Sequence, residues 1–259
     1  MSRFKKILLS GWTPWFVPIL VVAAWQLLGQ YGYISTRLIP TPLKVAEAFI
    51  SLSRSGVLLE YIWSSTKRAF TGFAIGGGIG FALGLLNGVF RIANNVLDST
   101  LQMVRNIPHL ALIPIVIIWF GIGEPAKIFL VALGVFFPIY LNTLHGIRSV
   151  DRGLIEMAKV YGLRGPSLYR HVILPGSVSS ILVGVRFALG FMWLTLIVSE
   201  TISADSGIGY MAMNAREFMQ MEVVVLAIIM YAVLGKLSDL AAKGLERLLL
   251  QWHPNYANR

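Results

Sequence analysis

Ala69–Phe90 reads AFTGFAIGGGIGFALGLLNGVF, with Lys67-Arg68 before it and Arg91 after it. No side chain within the run is charged. An α-helix needs about 20 mostly apolar residues to cross the hydrocarbon of a bilayer, so this run is long enough to span. Inside it, Gly72, Gly76, Gly80, Gly84 and Gly88 recur at every fourth position. On a helix that spacing stacks the glycines into one smooth ridge. Lipid provides no hydrophobic force between helices, and a ridge without side chains lets a second backbone approach and gain dispersion contacts. The cluster Gly76-Gly77-Gly78-Ile79-Gly80 also suggests a phosphate cradle, but no Lys-Ser/Thr pair follows it and the site would lie in hydrocarbon. The run is therefore read as a membrane helix that packs by its glycines.

The rest of the chain follows the same pattern. Of its 259 residues, 56% are hydrophobic and 13% charged, and the mean hydropathy is +0.71. A water-soluble domain of this length needs more charge to coat its surface. Further apolar segments lie within Trp15–Gly29, near Leu110–Ile122, at Ile128–Ile147, at Ser177–Ser199 and from Val223 past Lys236. Together they predict an all-α polytopic membrane protein of about six spans, forming one domain over residues 1–259. The third span is short unless it begins around Asn106. Arg3, Lys5 and Lys6 precede an apolar run as in a signal peptide, but no small-residue cleavage site follows, so the first segment is read as an uncleaved span. The chain has no cysteine, which excludes a disulfide framework and a thiolate metal site.

The formal charge of +10 is placed around apolar runs and forms no stripe on a polar face, which argues against nucleic acid as a partner. With the N-terminus inside, cytoplasmic Lys and Arg outnumber outer ones by fourteen to seven, so both termini are expected in the cytoplasm. Most of the outer charges fall in Tyr31–Arg68. That segment also holds Pro40-Thr41-Pro42 and an amphipathic stretch from Lys44 to Leu52, read as an interfacial or re-entering helix. Trp12, Trp15, Trp25, Trp63, Trp119, Trp193 and Trp252 are read as interface anchors and packing residues.

Between the fourth and fifth spans lies a long polar insertion, His145–Gly176. Asp151 is placed to cap a short helix, its carboxylate accepting from free backbone N–H groups. Leu154, Ile155, Ala158 and Tyr161 then share one helical face. Gly162 suits the left-handed position that ends a helix. Gly165-Pro166 turns the chain and restarts a helix, and Leu168, Tyr169, Val172 and Ile173 form a second apolar face before Pro175-Gly176 closes the unit. Spacing alone leaves two readings open, a helix lying on the bilayer surface and a helix seated in a groove of a soluble partner.

The residues Glu156-Met157-Ala158, Gly162 and Val172-Ile173-Leu174-Pro175 resemble the E-A-A…G…I-x-L-P coupling loop of binding-protein-dependent ABC importer permeases. Met157 and Val172 depart from the family's alanine and isoleucine, and both stay apolar. Arg105–Pro114, Trp119–Gly123 and Thr201–Ala204 are similar to the sulfonate, taurine and nitrate importer branch, nearest to its aliphatic sulfonate members. The resemblance implies a type I importer (MetI-like) permease fold in the inner (plasma) membrane. It implies that Glu156, Met157, Ala158, Gly162, Leu174 and Pro175 dock on an ATPase. It also implies the partners: two ATPase subunits holding ATP and Mg, a second permease copy, and a soluble substrate-binding protein outside. This chain itself would hold no cofactor or metal and have no catalytic residues.

Four polar residues are pore or vestibule candidates: Asn106, His109, Arg186 and Glu200. Arg186 lies inside the fifth apolar run, where an arginine costs about 2.5–3.5 kcal/mol on insertion scales and must face protein or water. It can attract an anion or pair with a carboxylate, and position alone favours pairing. No phosphate-binding loop, zinc helix pair or nucleophile elbow is present, which speaks against an enzyme. A secondary transporter would show broken helices near the midplane and an internal repeat, and neither is evident in the sequence. A purely structural membrane protein would leave the coupling pattern unexplained.

Overall fold

A computed structural model describes residues 13–251 of the chain, and every element in it is helical. The expectations resting on Arg3, Lys5, Lys6, Trp12, Trp252, Arg259 and the Trp15 side chain, including the placement of both termini, lie outside the described residues. The chain gathers into two compact units. Among the described residues, one comprises those up to Tyr61 together with Met211–Ile229, and the other comprises Ile62–Tyr210 and those from Met230 onward.

In the first unit, α1 (Thr13–Gln30) is an apolar helix with Pro18 inside it. Next comes α2 (Pro42–Arg54), amphipathic, with a proline in its first turn where a missing N–H leaves no bond unmade. One of the free N-terminal donors of α2 is satisfied across the chain: the Leu43 N–H donates to Gln26 Oε1 of α1 at 3.2 Å.

The second unit holds most of α3 (Val57–Val89) and all of α4 (Arg91–Arg105). A 3-10 turn (His109–Leu112) then leads to α5 (Ile113–Phe120) and α6 (Glu124–Arg148). A polar unit follows, made of α7 (Arg152–Val160), α8 (Gly165–Leu168) and a π-turn (Tyr169–Ile173). The turn runs into α9 (Leu174–Ser203). Two further helices, α10 (Ile208–Glu217) and α11 (Met221–Leu249), have residues in both units.

The core lies along α6 and α9, which pack together; Val131, Val135 and Tyr140 of α6 and Ala188, Met192 and Leu196 of α9 are buried with almost no exposure. The α3 glycines seat on the same helix. A Cβ on Gly80 would lie 2.6 Å from the Phe136 carbonyl oxygen, and one on Gly84 2.8 Å from the Tyr140 carbonyl oxygen. At Gly76, Gly80 and Gly84 the repeat is thus a backbone-on-backbone contact with α6, and at its ends Gly72 and Gly88 seat the Val131 and Ile147 side chains. Large apolar side chains remain exposed along the long helices, among them Trp63, Ile79, Ile118, Leu194 and Leu248. In water such a surface would drive association, and in hydrocarbon it is solvated.

Among the described residues four helical stretches are long and apolar enough to cross a membrane: α3, Gly165–Ile202, α6 and α11. A fifth stretch passes the same test only as a bent pair, Arg91–Arg105 with His109–Phe120, turned by 83° at the break, the geometry of a broken span or of a re-entrant loop. The apolar part of α1, Phe16–Gln30, is shorter than these. The expected short third span is therefore the second half of this bent pair. Pro108 lacks a donor and biases Ile107 away from helical geometry, while Pro114 restarts the helix in its first turn. Its first half escaped a hydropathy reading because Arg91, Asn94, Asn95, Asp98 and Gln102 make α4 amphipathic. α3 also begins well before Ala69, and it carries Arg68 buried within it.

Candidate coupling surface and cavity

The polar unit before α9 is built by local rules. The Asp151 carboxylate accepts from the Leu154 N–H at 3.0 Å and caps α7. At the other end Gly162 takes φ 86°. Its N–H donates to the Lys159 carbonyl at 3.0 Å, and the Leu163 N–H reaches back to the Ala158 carbonyl at 3.0 Å. This pair of bonds is the Schellman closure, and it requires the left-handed residue. Gly165 turns the chain again at φ 51°, and Pro166 opens α8.

Ala158, Leu168 and Ile173 are buried with Ile147 and Val150, and Ile155, Leu163, Tyr169 and Val172 pack around them. The α7 face expected to hold Leu154, Ile155, Ala158 and Tyr161 together is divided: Ile155 and Ala158 turn inward, while Leu154, Met157, Val160 and Tyr161 are exposed. The inward pair fastens α7 to the permanent core, and the outward four form a free apolar patch. Glu156 and Gly162 are exposed beside that patch, and Leu174 and Pro175 are half-buried. Pro175-Gly176 does not interrupt the chain as expected. Pro175 sits in the first turn of α9 and cannot donate to the carbonyl four residues back, and the π-turn at Tyr169–Ile173 absorbs that mismatch, so helix continues through it.

The four polar candidates fall in different places. Asn106 is exposed at the C-terminal end of α4, where its N–H donates to the Met103 carbonyl at 3.1 Å. His109 starts the restart of the broken span. Its Nε2 lies 3.4 Å from Thr195 Oγ1, and its ring meets Phe191 edge-on with centroids 6.4 Å apart. Arg186 donates from Nε to Asp239 Oδ1 at 2.7 Å, the pairing that its position favoured, and Lys243 joins the same carboxylate at 3.0 Å.

Glu200 is enclosed and faces no open wall. Its carboxylate accepts from Ser65 Oγ and Arg68 Nη1 at 2.8 Å, and from the Gly209 N–H and the Tyr231 hydroxyl at 2.9 Å. Ser65 Oγ in turn accepts from the Ile208 N–H at 2.8 Å. Arg68 extends the network by donating to the Ser206 carbonyl at 2.6 Å and forking onto Glu124 with bonds of 2.7 and 2.6 Å. Buried Lys127 also reaches Glu124, at 3.2 Å. Sequence reasoning missed Arg68, Glu124 and Lys127 as a set. The available signal was that each basic residue borders an apolar run and needs a carboxylate to enter it.

A cavity of about 330 Å³ opens beside the helix break, and Arg105, His109, Asn142, Phe137, Phe187 and Phe191 contribute to its wall. It lies against the middle of α6 and of α9. Irregular backbone at membrane depth is tolerated only where protein buries it or where it lines a water-filled cavity.

Residues 74–251 match the family of binding-protein-dependent transport system inner membrane components. The aliphatic sulfonates transport permease protein of Escherichia coli (strain K12) is 62% identical over 252 residues, which are 97% of this chain and 95% of that protein. The protein of the same description from Bacillus subtilis (strain 168) is 43% identical over 247 residues, 95% of this chain and 90% of that one. Among solved structures, the methionine ABC transporter MetNI in an inward-facing form gives a TM-score of 0.58 at 21% identity, over 74% of this chain and 97% of that one, a likeness of fold.

Proposed function

This chain belongs to the binding-protein-dependent transport system inner membrane components, the permease subunits of ABC importers, and from that premise we propose that it carries aliphatic sulfonates into the cytoplasm. The observation that carries the substrate is the 62% identity, over nearly the full length of both chains, with a permease described as transporting aliphatic sulfonates. The experiment is growth of a strain lacking this permease, with and without the gene restored. Restored growth on alkanesulfonates as sole sulfur source, with growth on sulfate unaffected throughout, is the expected result. Restoration confined to taurine, or a defect confined to nitrate, would move the substrate to those solutes.

Energy enters through the α7–α8 unit. Two copies of the permease surround one path, two ATPase subunits hold ATP and Mg on the cytoplasmic side, and a soluble binding protein delivers the solute from outside. ATP closes the ATPase pair, draws the two coupling units together and opens the path outward, and hydrolysis resets it. What supports this role is the division of α7, in which Ile155 and Ala158 fasten the helix to the permease while Leu154, Met157, Val160 and Tyr161 stay free for a groove on the partner.

Gly162→Val tests that role. A Cβ there would meet nothing within 4 Å, so the expected penalty comes from the positive φ. That is roughly 1–2 kcal/mol, a factor of about 5–30 in the population of the docking conformation. The variant is expected to reach the membrane at normal levels and to lose co-purifying ATPase. Glu156→Lys, a charge reversal beside the exposed patch, is expected to do the same. Normal ATPase recovery and solute-stimulated ATP turnover in both variants would leave α7 a surface helix.

A further inference from the structure

We propose that the cavity beside the broken span is a transit site for the solute inside the membrane, built for an anionic head with an uncharged aliphatic tail. The proposal rests on the sulfonate reading above and adds the place and the chemistry of recognition. Three observations carry it.

The first is position. The break between Arg105 and His109 sits against residues 133–142 of α6 and 187–191 of α9, close to the centre of both spans. Broken helices at that depth expose backbone that only protein or an aqueous path can satisfy.

The second is charge. Among the described residues no carboxylate pairs with Arg105, in contrast to Arg68, which has two, and Arg186, which has one. An ionisable side chain set among apolar segments faces protein or water, and Arg105, exposed in the chain, lies on the cavity wall. His109 stands beside it, held by Thr195 and Phe191. One N–H of the Asn142 amide donates to the Pro138 carbonyl at 2.9 Å, and the other has no partner among the described residues. The polar part of the wall therefore offers donors to an acceptor-only head group.

The third is the remaining wall. Phe137, Phe187 and Phe191 supply an apolar surface, and no acidic side chain contributes to the lining. A sulfonate head meets Arg105 and Asn142 while its alkyl tail lies on the phenylalanines. A tail ending in an ammonium would find no carboxylate there. At about 330 Å³ the space lies at the lower end of small-ligand sites.

The natural chain has no cysteine, so Leu141→Cys, on the cavity wall, places a single thiol there. The permease–ATPase complex carrying it is treated with a maleimide, and the mass of the permease reports the alkylation rate. Leu133→Cys, on the same wall, serves if Leu141→Cys does not assemble. Butanesulfonate is expected to slow alkylation by about tenfold at roughly ten times its dissociation constant. Sulfate, which has a head but no tail, and 3-aminopropanesulfonate are expected to protect far less at equal concentration. Arg105→Gln in the same background is expected to require about tenfold more butanesulfonate for the same protection. Absence of protection, equal protection by all three solutes, or protection indifferent to Arg105 overturns the site. Uptake of butanesulfonate by the parent complex is measured alongside. Uptake without protection overturns the cavity alone, and absence of uptake overturns the sulfonate reading and this inference with it.

Discussion

Gly76→Val should eliminate nearly all folded permease, while Gly78→Ala, two residues away on the same helix, should be neutral or slightly stabilising. A Cβ on Gly76 would fall on the backbone of Ala132 in α6, whereas one on Gly78 would meet nothing within 4 Å. Backbone cannot rotate aside as a side chain does, so the two helices must separate along the ridge. Gly72, Gly80, Gly84 and Gly88 would lose their contacts together. Overpacking a well-fitted core costs about 1–3 kcal/mol where neighbours can shift, and this site sits at or above the upper end of that range. Gly78→Ala removes a flexible residue from a helix interior and gains up to about 1 kcal/mol in propensity. The measurement is the fraction of solubilised protein that elutes as a single species, together with its midpoint of thermal unfolding. Gly80→Leu should follow Gly76→Val. Equal behaviour of the Gly76 and Gly78 variants would mean that the ridge does not carry the α3–α6 contact.

Glu200→Gln should be nearly as damaging, although it changes one atom of the side chain. All four groups that meet the carboxylate are donors: Ser65, Arg68, the Gly209 N–H and Tyr231. A glutamine amide must turn its own NH2 toward two of them. It also leaves Arg68 without its fully buried counter-ion, keeping only Glu124, which is half-exposed. Removing one member of a buried ion pair costs about 3–5 kcal/mol. Arg68→Met should lose a similar amount by stranding Glu200. The double variant Arg68→Met/Glu200→Gln should lose less than the sum of the two, since neither charge is then left alone. Thermal unfolding of the four proteins in one detergent gives the coupling. Additive losses would show that Arg68 and Glu200 do not act as a pair.

Local rules were legible in the chain, residue by residue. The four-residue glycine repeat, the Asp151 cap, the left-handed Gly162 and the helix restart at Pro166 depend on neighbours within a turn or two, and the structure places each as its pattern requires. The apolar runs marked most of the crossings for the same reason, since solvation by lipid acts on each segment separately. The tertiary structure decided everything that depends on distant partners. Arg68 and Glu200 stand 132 residues apart, so nothing near Glu200 in sequence shows that it is enclosed. The inward and outward faces of α7 were set by a core that includes Ile147 and Leu168, elements beyond the helix itself. The break before His109 was not read from the sequence although Pro108 makes it, and the cavity beside it exists because the middles of α6 and α9 arrive there too. Periodicity and backbone preference are properties of a segment, whereas enclosure, pairing and cavity walls are properties of several segments brought together, and packing alone brings them together.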